Sequence, residues 1–274
     1  MNKTQASMLS NILEDKASKR IYVTKLCTQD LPHIIEYLDD ISSKNGATKI
    51  IVKVPTKYSP FFNQYNYQLE AYIPAYFADQ TDVLFMCKYT QKERQQAEKH
   101  YLGLLQNMCN TLPSTCTKSL NQALHLRELC NTDIPNMISV FKQVFETYPF
   151  PIFETDFLQQ SMLDGTRYFG VFEANKLVAI SSAECDAENK NAEMTDFAVL
   201  PSHRGMCLAS HLLIEMEHAL RKDKYVTVYT IARLQCMPMN KTFYNAQYQY
   251  TGTLIQNTQI SGSIQSMNVW YKRL

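Results

Sequence analysis

Apolar and polar residues follow two different periods along this chain, one of two residues and one of three to four. The two-residue period predicts β-strands over 49–55, 166–174, 177–185, 192–199 and 225–232. The helical period predicts α-helices over 91–110, 133–147, 155–163, 205–221 and 240–247. A chain that mixes strands and helices in this way is expected to have an α/β (α+β) fold.

Two pairs of segments repeat in the same order in the two halves of the chain. Residues 21–35 and 124–138 each contain an alternating stretch, the motif Leu-Cys-x-x-Asp-[Leu/Ile]-Pro and the start of a helix with apolar periodicity. Residues 61–67 (FFNQYNY) resemble residues 243–250 (FYNAQYQY). This shared order indicates an internal duplication.

The duplication predicts two domains, of which only the second is complete. Asp30 and Asp133, the aspartates of the repeated motif, stand where helix N-caps are expected. The first copy lacks the long middle stretch of the second. Residues 1–118 are therefore predicted to be a shortened domain with a connecting helix, and residues 119–274 the full unit. The segment TLPSTCTKS between them has the composition of a linker.

The composition excludes several classes of function. Lys plus Arg total 27 and Asp plus Glu total 26, a formal net charge of +1, whereas nucleic-acid binding calls for a basic excess. The first residues lack the apolar core of a signal peptide, and no stretch approaches the ~18 apolar residues of a membrane span. We expect no nucleic-acid partner, no membrane contact and a cytoplasmic location; a homodimer is compatible with the sequence.

The residue types that bind metals and phosphates show no recognised spacing. The eight cysteines include no CxxC motif, and His211 and His218 are too far apart on one helix to share a metal ion. The seven glycines form neither GxGxxG nor a P-loop. The sequence therefore predicts no metal site and no dinucleotide fingerprint.

The segment 192–221 contains the strongest candidate for chemistry. A predicted strand runs into Pro201, a loop with Arg204 and Gly205 follows, and an amphipathic helix begins after it. The free N–H groups and dipole of such a helix start can hold an anion such as a pyrophosphate. An ordinary strand-to-helix connection is the alternative.

This segment resembles the GNAT acetyltransferase superfamily. Its phosphate loop has the pattern [Q/R]-x-x-G-x-[G/A], which Arg204 and Ala209 match, whereas Cys207 stands in place of the first glycine. The order of predicted elements in the second half is also that of the superfamily. The resemblance implies the GNAT fold, a mixed and mostly antiparallel sheet with flanking helices, preceded here by a shortened GNAT-like half.

Five further segments resemble the β-lysine N-acetyltransferase family. They are YPFPI (148–152), EMTDFAVLP (193–201), YTIAR (229–233), MNKTF (239–243) and SMNVWYK (266–272). The N-terminal segments KIIVKVP, EAYIPAYF and FMCKY resemble the extension of that family. The resemblance implies acetyl transfer from acetyl-CoA, a co-substrate, to the 6-amino group of β-lysine, giving Nε-acetyl-β-lysine, a compatible solute. Leu234 and Cys236 replace residues that are usually Ala and Ser in that family.

The resemblance also assigns residues to the cofactor. The backbone of Phe197, Ala198 and Val199 would pair with the pantetheine arm and the thioester carbonyl. The pyrophosphate would bind the loop residues Arg204, Gly205, Met206, Cys207, Leu208, Ala209 and Ser210. Asn240, on the last helix, is also assigned to the cofactor.

Two catalytic residues are proposed by the same resemblance. Glu193 lies six residues before Val199 and matches the superfamily's glutamate base. Asp196 is the alternative base, although strand alternation directs it to the opposite face unless a bulge intervenes. Phe243 stands where the superfamily often has a tyrosine acid, which leaves Tyr244 or solvent to protonate the thiolate.

The acceptor would be held by residues near the same strands. Tyr148 and Phe150, in the rigid Pro-containing loop, are expected to line the alkyl chain and attract an ammonium group. Arg233 could pair with the carboxylate of β-lysine or form a salt bridge within the protein, and Asp196 is expected to contact the acceptor.

Two other functions fit the same residues. One is an N-acetyltransferase for another small amine such as a polyamine. The other is a non-catalytic acyl-CoA-binding module, in which Cys207 and Phe243 mark lost activity. The first half lacks a phosphate loop, so we expect it to pack on the second half without binding cofactor.

Overall fold

The computed structural model describes residues 8–78, 80–114, 119–260 and 262–274. Within these ranges the chain forms two β-sheets with flanking helices, which confirms the predicted fold class. The predicted domain boundary after residue 118 and part of the predicted linker lie outside the described residues. No described helix has the length and apolar character needed to cross a membrane.

The first sheet belongs to the N-terminal half and has five strands in the order β1-β2-β3-β5-β4. β2 and β3 run parallel, and the other neighbours are antiparallel. A parallel pair needs a crossover connection, which helix α1 provides. The elements are β1 (Asn11–Asp15), β2 (Arg20–Lys25), α1 (Ile34–Asn45), β3 (Lys49–Pro55), α2 (Ser59–Gln64), β4 (Gln68–Ile73) and β5 (Val83–Tyr89).

The second sheet has seven strands in the order β11-β12-β10-β9-β8-β7-β6. Only β9 and β10 run parallel among its described neighbours. The elements, after the connecting helix α3 (Lys99–Cys109), are β6 (Leu124–Glu128), α4 (Ile134–Val144), α5 (Thr155–Leu163), β7 (Arg167–Glu173), β8 (Lys176–Asp186), β9 (Asn191–Val199), α6 (Leu208–Lys222), β10 (Thr227–Arg233), α7 (Met237–Asn245), β11 (Gln249–Ile260) and β12 (Ser263–Arg273).

The two sheets share a common four-strand arrangement. β2-β3-β5-β4 in the first sheet repeats β9-β10-β12-β11 in the second, one parallel pair followed by two antiparallel pairs. The repeated sequence motif, in contrast, relates β2 to β6, which forms the far edge of the second sheet. Because the first half has no equivalents of β7 to β9, β2 lies directly beside β3.

The repeated aspartates have different roles in the two halves. Asp133 occupies the N-cap position of α4, and its carboxylate accepts a hydrogen bond from Cys130 N at 2.9 Å. The predicted N-cap at Asp30 is wrong, because α1 has His33 at that position. The Asp30 carboxylate instead accepts hydrogen bonds from the backbone N–H groups of Leu9 and Ser10.

The connecting helix is shorter than predicted. α3 begins at Lys99, and residues 92–95 form a separate 3₁₀ turn. Arg94 in this turn is buried and donates hydrogen bonds to the carbonyls of Lys19, Ser18 and Gln256 at 2.6, 2.6 and 2.9 Å. These contacts fix the turn between the two halves, and this tertiary anchoring overrides the helical propensity of the segment.

Helices cover opposite faces of the second sheet. Ser181 on β8 donates to the sulfur of Met216 on α6 at 2.8 Å. Ser182 points to the other face, where its cross-strand partner Tyr168 contacts Ser161 of α5 at 2.9 Å. α6 therefore packs on one face, and α5 on the other.

The first sheet packs against the β10–β12 part of the second sheet, as predicted. The apolar contact includes Ile51, Phe85, Tyr229, Leu254 and Val269. At Gly252 a Cβ atom would lie 2.0 Å from the Glu70 carbonyl oxygen, so only glycine permits this approach. The fully buried Lys49 also crosses the interface, because its Nζ contacts Glu70 Oε2 and the Ile255 carbonyl, each at 2.7 Å.

Candidate functional site

The parallel pair β9 and β10 separates to form a cleft. Residues 191–193 pair with residues 227–229, and β9 has no described partner on that edge beyond Glu193. On its opposite edge β9 stays in the sheet, because Ala198 and Val199 remain paired with β8. Phe197, Ala198 and Val199 therefore belong to a strand that is paired on one edge and open on the other. An open strand edge of this kind presents N–H and C=O groups that can pair with an extended ligand.

A β-bulge occurs inside this open segment of β9. Thr195 pairs with Ser182 and Ala198 pairs with Ile180, so Asp196 and Phe197 together oppose one residue of β8. Asp196 has a φ of +54°. Such an extra residue redirects the side chains that follow. The bulge turns Asp196 toward the face of Ser182, which alternation alone would not allow.

Asp196 is held by two hydroxyl groups. Its carboxylate accepts hydrogen bonds from Ser182 Oγ at 2.6 Å and from the hydroxyl of Tyr148. Burial raises the pKa of Asp196, and these two hydrogen bonds offset part of that shift. The predicted acceptor residues Tyr148 and Asp196 are thus in direct contact.

A cavity of about 270 Å³ opens beside Asp196. It lies under the loop 148–152, and the half-exposed ring of Phe150 stands at its wall. Its lining includes three aromatic rings (Phe150, Phe157, Tyr168) and three carboxylates (Asp164, Glu184, Asp196), together with Ile152, Gln160, Ser161 and Thr166. Aromatic and carboxylate groups together favour a cationic ligand with an apolar chain.

Glu193 and Glu184 form a pair of carboxylates at the mouth of the cleft. They lie directly opposite each other on β9 and β8 and therefore share one face of the sheet. Partial desolvation, with the charges of Glu193 and Asp196, raises the pKa of Glu184, whose residue is exposed. Burial also raises the pKa of Glu193, which the nearby charge of Lys53 lowers only in part.

The N-terminal half supplies the opposite wall of this cleft. Tyr229 is the cross-strand partner of Glu193, and the ammonium of Lys53 lies 3.5 Å from its hydroxyl oxygen. The same ammonium lies 3.5 Å from the hydroxyl oxygen of Tyr76. The ring of Tyr22 is also near, with its centroid 6.0 Å from Lys53 Nζ. Glu193 therefore lies between an acidic cavity and a wall of tyrosines around one lysine.

The loop before α6 has the shape of an anion site. α6 begins at Leu208, and Gly205 and Cys207 have φ values of +81° and +58°. Cys207 thus adopts the left-handed conformation that glycine favours. Among the described residues, no acceptor is found for the N–H groups of Gly205, Met206, Leu208 and Ala209. These N–H groups can bind an anion at the positive end of the helix dipole.

Two other loop residues differ from this pattern. The N–H of Ser210 donates to the Cys207 carbonyl at 3.0 Å, so it is already used within the helix start. Arg204 is exposed and forms no ion pair within the described part of the chain. Its guanidinium can therefore contact an anion at the loop.

Asn240 lies outside the cleft. Its side chain is fully buried, and its Nδ2 donates to the carbonyls of Arg233 and Cys236 at 2.9 and 3.0 Å. Its Oδ1 accepts from Asn268 Nδ2 and Trp270 Nε1 at 2.8 and 2.9 Å. The amide joins α7 to the end of β10 and to β12, so the structure gives it a positioning role where the sequence suggested cofactor contact.

The aromatic residues of α7 point in two directions. Phe243 is buried with its ring centroid 5.6 Å from that of Phe197, on the cleft strand. The hydroxyl of Tyr244 instead donates to the carbonyls of Cys109 and Thr111 in the connecting segment. The structure does not bring the Tyr244 hydroxyl together with Glu193.

Arg233 ends β10 on the far side of the cleft. It lies four residues beyond Tyr229, a distance along the strand of about 13 Å, and alternation gives both the same face. Its backbone carbonyl is fixed by Asn240.

Two charged residues of the site were not identified from the sequence. Glu184 is the lone carboxylate at the end of the apolar run LVAISSAE, and Lys53 interrupts the apolar strand KIIVKVP. A charged residue in an otherwise buried strand is a usable signal. The contact between the halves, which local pattern does not encode, brings Lys53 to Tyr229, the strand partner of Glu193.

Comparisons with known proteins agree on the kind of molecule. Residues 129–241 match the family model described as the Acetyltransferase (GNAT) family. The chain is 33% identical over 255 residues to a β-lysine N(6)-acetyltransferase from Methanococcus maripaludis, covering 92% of each chain. It is 29% identical over 265 residues to the N-acetyltransferase YodP of Bacillus subtilis, covering 95% of this chain and 94% of the relative. A β-lysine N(6)-acetyltransferase from Methanosarcina mazei is 32% identical over 155 residues, 57% of each chain.

Proposed function

Because this chain belongs to the acetyltransferase (GNAT) family and, within it, to the β-lysine N6-acetyltransferases, we propose that it transfers the acetyl group of acetyl-CoA to the 6-amino group of β-lysine. The product is Nε-acetyl-β-lysine. Its use as a compatible solute in the cytoplasm is part of the proposal. The observation that carries it is the separation of β9 from β10 directly beside Glu193.

The cleft suits the two ends of acetyl-CoA. The open edge at Phe197, Ala198 and Val199 would pair with the pantetheine arm, and an N–H there would hold the thioester carbonyl. The N–H groups of Gly205, Met206, Leu208 and Ala209, with Arg204, would bind the pyrophosphate. When bound, acetyl-CoA supplies the activated acetyl group.

Glu193 is the proposed general base. The 6-amino group of β-lysine arrives as an ammonium with a pKa near ~10.4, so it must lose a proton before it can attack. Burial raises the pKa of Glu193, which makes its carboxylate a better proton acceptor, directly or through a water molecule. Asp196, held by two hydroxyls, is better suited to binding the acceptor than to moving its proton.

The remaining steps follow from the same geometry. The nitrogen lone pair would attack the thioester carbon, and a β9 N–H would stabilise the oxyanion. The attacking nitrogen would then lose its second proton to solvent as the C–S bond breaks and the CoA thiolate leaves. Tyr244 would have to leave its carbonyl partners in the connecting segment to reach the thiolate. We therefore propose that solvent, and not Tyr244, protonates the CoA thiolate.

The acceptor would lie with its alkyl chain along Tyr148 and Phe150. An ammonium group of the acceptor could bind among Asp196, Glu184 and the aromatic rings of the cavity. The carboxylate of β-lysine needs a cation, for which Arg233 at the end of β10 is one candidate.

A thiol-release assay tests this function. Acetyl-CoA is supplied with β-lysine, α-lysine, spermidine or an aminoglycoside, and the product with β-lysine is identified by mass and by the position of its acetyl group. We expect the highest kcat/KM with β-lysine. Turnover of spermidine alone would replace the substrate assignment, and CoA binding without turnover of any amine would favour a non-catalytic module.

A further inference from the structure

We propose that Lys53, from the N-terminal half, binds the carboxylate of the acceptor, so that both halves build one site that selects a diamino acid over a diamine. This inference rests on the proposed function of the same cleft. It concerns a residue outside the acetyltransferase half, and it gives the shortened half a direct part in substrate choice.

The position of Lys53 follows from the alternation of β3. Val52 and Val54 are fully buried on the side of α1 and α2. Ile51 and Lys53 point the other way, toward the second sheet, where Ile51 joins the contact between the sheets. At Lys53 this contact reaches Tyr229, the cross-strand partner of Glu193.

Lys53 has aromatic neighbours on several sides. Its ammonium lies 5.5 to 6.0 Å from the ring centroids of Tyr22, Tyr76, Phe85 and Tyr229. Rings at this distance stabilise a cation without neutralising it. Two of the tyrosine hydroxyls stand next to the ammonium, each at 3.5 Å.

In the part of the chain that the structure describes, the Lys53 ammonium has no ion-pair partner. No carboxylate among the described residues lies within the 4.0 Å that defines a salt bridge to its Nζ. Lys49, four residues earlier on the same face, shows the contrast, because its buried ammonium contacts Glu70 at 2.7 Å. A largely enclosed ammonium with two long hydrogen bonds retains capacity for an anion.

Lys53 remains charged in this environment. Burial lowers the pKa of Lys53, but Tyr22, Tyr76 and Glu193 more than offset that effect and hold its pKa above the ordinary value. Its side chain is partly exposed to the cleft. A carboxylate that enters the cleft therefore meets a cation flanked by hydroxyl donors, a common way to bind such a group.

The charges of the cleft match those of a diamino acid. The cavity wall carries Glu184 and Asp196, which attract ammonium groups. The opposite wall carries Lys53, which attracts a carboxylate, and Glu193 lies between them. A polyamine offers only ammonium groups and would leave Lys53 facing a cation, which is unfavourable.

The test compares β-lysine with β-lysinamide, in which an uncharged amide replaces the carboxylate. Wild-type enzyme is expected to prefer β-lysine by about 10- to 100-fold in kcat/KM, as one charged hydrogen bond predicts. Lys53→Met should abolish most of this preference, and Lys53→Arg should retain part of it. Lys57→Met, an exposed lysine of the same half over Tyr58, is the matched control and should behave as wild type.

Because the readout is a ratio between two substrates, partial loss of folded protein does not affect it. The inference would be overturned if Lys53→Met lost kcat/KM equally with β-lysine and β-lysinamide, and so kept the wild-type preference for β-lysine. Loss of preference in Arg233→Gln but not in Lys53→Met would assign the carboxylate to Arg233 instead. Failure of wild-type enzyme to acetylate β-lysine at all would refute the proposed function itself, a result distinct from these.

Discussion

Replacing Glu193 with glutamine tests the catalytic assignment most directly. The substitution keeps the shape of the side chain and removes the proton acceptor. General base catalysis contributes about 10²- to 10⁴-fold to a rate, which corresponds to about 3 to 5.5 kcal/mol of barrier. Because Glu193 is enclosed beside Tyr229 and has a raised pKa, we expect a loss within this range at neutral pH.

The pH dependence gives the sign of the effect. A base acts when deprotonated, so kcat/KM of the wild type should fall as the pH drops through the raised pKa of Glu193. At high pH the acceptor amine loses its own proton near pH ~10.4. The deficit of Glu193→Gln should therefore be greatest where Glu193 is deprotonated and the acceptor is still an ammonium, and it should shrink as the pH approaches the value at which the acceptor is a free amine.

The assay is initial-rate thiol release from acetyl-CoA with β-lysine between pH 6 and 10. Glu184→Gln changes the carboxylate directly opposite and tests the rival base. Glu188→Gln, in an exposed surface pair with Lys25, is the control and should match wild type. An acid limb that persists in Glu193→Gln but vanishes in Glu184→Gln would refute our assignment.

Three further predictions concern the scaffold of the site. Cys207→Gly should raise the melting temperature by a few degrees in a thermal scan, because it removes left-handed strain of about 1 kcal/mol; a lower melting temperature would show that the thiol contributes more by packing. Gly252→Ala should destabilise the fold by about 1–3 kcal/mol or more in urea, because the added Cβ meets the Glu70 carbonyl, whereas Gly103→Ala, with open space around it, should cost nothing measurable. Asn240→Ala should lower the free energy of unfolding by about 2–3 kcal/mol, because it leaves buried partners unpaired; a loss of CoA affinity at unchanged stability would instead support direct cofactor contact.

Local patterns in the sequence determined much of this protein. Strand alternation and helical periodicity predicted most elements of the second half, because those elements bury one face and expose the other. The repeated motif predicted a shortened first half, and the strand-loop-helix segment around Arg204 predicted an anion site. Each of these features depends on residues that are near one another in the chain.

The predicted start of the connecting helix and the predicted N-cap at Asp30 were wrong, because contacts between residues far apart in the chain decide both. The connecting helix was predicted over 91–110, but Arg94 is anchored across both halves and delays its start to Lys99. Asp30 was predicted to cap α1, but its carboxylate binds the backbone of Leu9 and Ser10. In both cases a buried charged group required partners that the local sequence does not contain.

Only the tertiary structure decided the composition of the candidate site. The bulge at Asp196 depends on pairing with β8, and it turns a side chain that alternation had assigned to the opposite face. The contact of Lys53 with Tyr229, the strand partner of Glu193, depends on the packing of two sheets, which Gly252 permits. A sequence specifies which residues lie in a strand and on which face, but strand neighbours and sheet contacts arise from residues far apart in the chain, so local patterns could not place Lys53 beside the base.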